Sequence, residues 1–86
     1  MFITRQDVAE QFAAHLQHRV TLPQLVDWAE NAMMDGEFDE KDAATISAVV
    51  ARLGVADVRA FGLTWTDCEE LLAKLGFSAR VEIIAA

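Results

Sequence analysis

Apolar residues recur along this chain at helical spacing in four separate stretches, and a fifth stretch alternates like a strand. In the first, Val8, Phe12 and Leu16 share one face with Ala9 and His15 at its edge. Thr4 and Asp7 stand before it at capping-box spacing, and His18 and Arg19 close it, where positive charge suits the helix dipole. In the second, Thr21 caps, Pro23 sits in the first turn and Gln24 completes a capping box. Leu22, Leu25, Val26, Ala29, Ala32 and Met33 face the core, Trp28 lies at the edge of that face, and Asp27, Asn31 and Met34 look away with Glu30 beside them. Gly36 suits a left-handed residue just past the helix end.

The third helix is expected from about Asp39, as its cap, to Leu53, with Gly54 as its stop. Ile46, Val49, Val50 and Leu53 form its main face, and Ala44, Ala48 and Ala51 a second stripe opposite. "GVADVRAFG" reads as a turn or short helix between two glycines. The fourth helix begins near Thr64, presents Trp65, Cys68, Leu71, Leu72 and Leu75, and ends at Gly76. In "SARVEII", Val81 and Ile83 alternate with Arg80 and Glu82, which is a strand pattern. A lone strand needs a partner, either Phe2–Ile3 or the same strand of a second copy. The expected fold is therefore a single mainly α domain over residues 1–86, four helices with one C-terminal β-strand.

At 86 residues the chain buries roughly 60–65% of its unfolded surface, enough to fold alone with little margin. It is 53% hydrophobic, so some apolar side chains find no interior and form a patch that meets a partner or a second copy. Cys68 is the only cysteine, which excludes an internal disulfide. The opening MFITRQDVAE lacks the order of a signal peptide, and no apolar run approaches the roughly 20 residues a bilayer requires. A cytoplasmic location with no membrane association is the expectation. Net charge is −7, and its distribution matters more than its size. Residues 27–42 hold Asp27, Glu30, Asp35, Glu37, Asp39, Glu40 and Asp42 against Lys41 alone, a net of −6. Such a field repels phosphate backbones, so no nucleic-acid binding is expected, and it attracts a basic protein.

"NAMMDGEFDEKD" ends like a calcium loop. With Gly36 at the sixth position of such a loop, Asp35, Glu37, Asp39 and Asp42 fall at oxygen-bearing positions, but Met33 falls where an oxygen is required. The plainer reading is a helix end at Gly36 and a helix start at Asp39, with acids gathered by the dipole; calcium at residues 35–42 is the minor alternative. His15 and His18 have i, i+3 spacing without a third ligand nearby, so packing and dipole roles suffice for them. Cys68 points inward as a small apolar residue. There is no phosphate loop, nucleophile elbow or paired catalytic carboxylate. "RLGVADVRAFGLTWTDCEELLAKLGF" has the outline of a helix-turn-helix, yet its last helix offers Lys74 alone against Asp67, Glu69 and Glu70. The expectation is no enzyme, no cofactor and no metal.

The same stretch resembles a SAM domain in Leu63, Thr64, Asp67, Leu75 and Gly76, with Cys68 in place of a leucine. Through "LVDWAENAMMDGEFDEKD" and "LGVADVRAFGLTWTDCEELLAKLGF" the chain resembles a type of short bacterial helical protein. In size, helical pattern and acidity it is similar to colicin-type immunity proteins, small acidic helical domains that bind and neutralise a basic toxin. That likeness is of physical type and carries over no site residue. The expected function is protein binding. Asp27, Glu30, Asp35, Glu37 and Asp39 would steer a basic partner, and Trp28, Met34 and Phe38 would hold it. The alternative is a small homodimer joined through the alanine stripe or the Arg80–Ile84 edge.

Overall fold

The computed structural model describes residues 1–59, 61–80 and 82–85. It is mainly helical, as expected, with four helices among the described residues: α1 (Arg5–Leu16), α2 (Leu22–Asp35), α3 (Ala43–Leu53) and α4 (Trp65–Lys74). Two short strands, β1 (Phe2–Ile3) and β2 (Glu37–Phe38), complete it. No described helix is long and apolar enough to cross a membrane.

Three helices start at full capping boxes, Thr4 with Asp7, Thr21 with Gln24 and Thr64 with Asp67. In each, the threonine hydroxyl accepts from the third helical N–H, and that residue's side chain accepts from the threonine N–H. The core forms where the four apolar faces converge. Val8 and Phe12 meet Leu25, Ala29, Ile46, Val49, Val50, Leu53, Cys68, Leu71, Leu72 and Leu75, all buried. The alanine stripe of α3 is left outside, with Ala44, Ala48 and Ala51 exposed. Met33, expected to face the core, is 46% exposed. The buried stripe of α2 is Leu25, Val26, Ala29 and Ala32, and Met33 lies one step of about 100° beyond Ala32.

The strand pairing differs from the expectation. Phe2–Ile3 pairs in parallel with Glu37–Phe38, Phe2 against Glu37 and Ile3 against Phe38. The Glu37 N–H donates to the Met1 carbonyl at 2.7 Å and the Asp39 N–H to the Ile3 carbonyl at 2.9 Å. Parallel strands need a long crossover, supplied here by α1 and α2 together. The described residues of the C-terminal stretch, 77–80 and 82–85, carry no strand, and Val81 lies outside the described residues. The N-terminal stretch pairs with β2 instead.

That pairing also moves the start of α3. Asp39 does not cap the helix. It stands at a strand end, its N–H donating to the Ile3 carbonyl, and its own carbonyl accepts from the Asp42 N–H in a turn. The first bond of α3, from the Ile46 N–H, goes to the Asp42 carbonyl. In that turn the Lys41 N–H donates to Asp39 Oδ1 at 3.2 Å, and α3 begins at Ala43. Asp42 stands at the N-cap without a side-chain cap bond. Its carboxylate turns instead to Arg5 Nε, 3.2 Å away. Gly36 is likewise not left-handed; its φ of −78° and ψ of 148° carry the chain straight from α2 into β2. Its requirement is space, since a β-carbon there would run into the Ala32 carbonyl and Ile3 Cδ1.

The left-handed residues are elsewhere. Gly76, with φ 86°, ends α4 in a Schellman motif, where Phe77 N–H donates to the Leu72 carbonyl and Gly76 N–H to that of Ala73. His18, with φ 61°, ends α1 in the same way, Arg19 N–H donating to Ala14 and His18 N–H to His15. A side chain in that conformation is strained.

Two stability changes of opposite sign follow. Gly36→Ala should cost at least about 2 kcal/mol by overpacking against backbone, read as a lower urea midpoint. His18→Gly should gain about 0.5–1 kcal/mol by relieving the left-handed strain, read as a higher midpoint with unchanged slope.

Candidate functional site

The acidic block runs along α2 from Asp27, through β2 and into the turn before α3. On α2, residues 27, 30, 31 and 34 recur at three- and four-residue intervals and share the face turned from the core. Asp27, Glu30, Asn31, Met34 and Asp35 are all exposed, and Met34 is 78% exposed. Glu37 is exposed on β2. Trp28 and Phe38 are half-buried and pack against the core, so they close the end of the interior as well as bordering the surface. Asp39 is half-buried and shapes its own turn. Asp27, Glu30, Met34, Asp35 and Glu37 are thus exposed, while Trp28, Phe38 and Asp39 are half-buried.

The parallel pairing adds residues that sequence reasoning missed. Met1 and Phe2, 59% and 61% exposed, lie beside Glu37. A hollow of about 180 Å³ is lined by Met1, Phe2, Asp7, Glu10 and Trp28 among others. Trp28 therefore joins the N-terminus to the acidic helix, and Glu10 extends the acidic surface onto α1. The available signal was the apolar Phe2–Ile3 pair needing a partner strand; its partner lies 35 residues along the chain.

One acid of α2, Asp35, stands at the end where it is least stable. The helix has no acid in its first turn and no base in its last, while Asp35 is its final residue. The C-terminal end of a helix is electronegative, so this arrangement works against the dipole. Among the described residues the salt bridges are Arg5 with Asp42 and Arg52 with Asp67, and neither neutralises these exposed acids.

The four acids of the calcium alternative are not drawn together. Among the described residues no group of three or more His, Cys, Asp or Glu side chains is placed to hold a metal ion. Asp42 is turned to Arg5 and Asp39 to the Lys41 N–H. His18, in its left-handed conformation, has left the helical face of His15, whose Nδ1 lies 3.4 Å from the Val20 carbonyl. Asp67 is held below the usual carboxylate range by its hydrogen bonds from the Thr64 backbone and hydroxyl, with Arg52 adding a smaller pull. Burial pushes the Cys68 thiol up, and the Asp67 charge adds to it.

No family model matches this chain, and no curated protein or solved structure matches it significantly.

Cys68, buried and held protonated, should resist alkylation in the native protein at neutral pH and react fully once unfolded. Labelling followed by mass measurement, with and without denaturant, reads this directly.

Proposed function

We propose that this protein is a small acidic binding module that recognises a basic protein, without catalysis, in the manner of the colicin-type immunity proteins it resembles in physical type. The observation that supports this most is the exposed Met34, on the helical face of Asp27 and Glu30 and next to Asp35, which sits at the electronegative end of α2. Asp27 and Glu30 are like charges three residues apart, and Asp35 stands at the wrong end of the helix dipole; each arrangement costs stability. Proteins break such local rules chiefly where function requires it. A cationic partner relieves both penalties at once, because it neutralises the acids and caps the dipole. The carboxylates steer the encounter and fix its orientation, while Met34, with Met1 and Phe2 at the margin, supplies apolar contact that slows release. A flexible methionine suits a surface that must adapt to another protein.

The test starts with capture from the source cell at low salt, beside a control in which Asp27, Glu30, Asp35 and Glu37 are all changed to Lys. A single basic protein, lost from the control, is the expected result. Met34→Lys should then weaken its binding by more than about tenfold, with the melting temperature held within about 2 °C. Asp35→Lys should raise stability slightly through the dipole and still slow association. Binding indifferent to Met34→Lys, or capture unchanged in the control, would overturn the proposal.

A further inference from the structure

The chain leaving α4 first packs and then stands free. Phe77 and Ala79 pack against the core while Ser78 and Arg80 are exposed, which is the in-and-out order of a strand. Further on, Ile83 and Ile84 are 94% and 80% exposed, the most exposed large apolar residues among those described. Among the described residues, 78–80 and 82–85 make no backbone hydrogen bonds. The described residues of this segment are thus strand-patterned and largely exposed, and make no backbone pairing among themselves or with the rest of the described chain. Beside it lies an open groove of about 470 Å³, walled by Ala9, Ala13, Leu16, Trp65, Leu72 and Phe77. Ser78, Ala79, Arg80 and Glu82 form the groove's edge.

We propose that two copies of this chain join through residues 77–85 as an antiparallel ribbon about a two-fold axis, in the register that sets Arg80 opposite Glu82 of the second copy. The symmetry then sets Glu82 opposite the copy's Arg80, so each copy contributes to two ion pairs. The neighbouring registers on the same face are disfavoured. Shifting one way opposes Arg80 to itself, and shifting the other way opposes Glu82 to itself, and like charges directly opposite destabilise a strand pair. A one-residue slip would turn every side chain to the wrong face. The chosen register also sets Ile83 of the second copy opposite Ala79. Directly opposed residues share a face, and Ala79 packs inward. Ile83 of each copy is therefore delivered to the other's groove, while Ile84 falls on the outer face opposite Ser78. Charge pairing and groove filling select the same register independently. This contact uses the Ala9, Ala13 and Leu16 side of α1, whereas the hollow beside the acidic block uses Asp7 and Gln11. Either proposal can fail without the other.

Sedimentation of the full chain from micromolar to millimolar concentration tests it. A reversible dimer is expected. Ile83→Asp should raise its dissociation constant more than about thirtyfold, without changing the melting temperature of the monomer. Arg80→Glu and Glu82→Arg should each weaken the dimer by about tenfold, and the double exchange should return it to within about threefold of the original. Glu82→Arg is the most telling, because it reduces the net negative charge and general repulsion alone would make that variant dimerise better. A chain that stays monomeric throughout overturns the proposal. So does a dimer indifferent to Ile83→Asp, or a double exchange that recovers nothing.

Discussion

Ile3 can be buried only because position 36 carries no side chain. Ile3 is 1% exposed, and its Cδ1, with the Ala32 carbonyl, fills the space a β-carbon at Gly36 would take. The close approach brings β1 against the chain leaving α2 and allows the parallel pairing. Arg5, two residues beyond Ile3, is then held where its guanidinium reaches both ends of the fold. Its Nε meets Asp42 at the start of α3, and its terminal nitrogen donates to the Leu75 carbonyl at the end of α4 at 3.0 Å. The second contact serves a carbonyl left over at a helix C-terminus, where positive charge is favoured. An exposed ion pair adds little stability, so the Arg5 contacts serve orientation, and the apolar burial of Ile3 supplies the holding force.

The helices were legible because their signals are local. Threonine followed three residues later by Asp or Gln marks a helix start whatever surrounds it, and all three such boxes formed. The face Ile46, Val49, Val50 and Leu53 was readable from spacing alone and is wholly buried. What could not be read depends on contacts distant in sequence. Two strands of two residues each have no period to detect. Asp39 reads as a cap because nothing nearby shows that pairing with Ile3 places it at a strand end, with a turn between it and α3. Gly36 is required by its neighbours, the Ala32 carbonyl and the Ile3 side chain, and not by its conformation. His18 adopts the conformation expected of a glycine, because the Schellman bonds after α1 hold it there.

The candidate surface was half legible for the same reason. The acids and Met34 lie on one helical stretch, so periodicity turned them outward correctly. Met1, Phe2 and Glu10 join them only through the strand pairing and the packing of α1. The structure also sorts acids that looked equivalent in sequence. Asp42 and Asp39 are engaged within the fold, which leaves Asp27, Glu30, Asp35, Glu37 and Glu40 as the exposed part of the field.

That sorting bears on whether the acidity is more than a device for keeping an apolar chain dissolved. Solubility requires charge, but it does not require charge at any particular place. A surface shaped by solubility alone would put acids in the first turns of helices, where the dipole favours them, as α1 and α4 do with Asp7 and Asp67. α2 does the reverse, with none in its first turn and Asp35 at its end. It also leaves Met34 in the middle of the charged face, where a polar residue would dissolve better. Each choice weakens the free chain slightly. On the function proposed above, one partner surface that is basic and partly apolar would offset both.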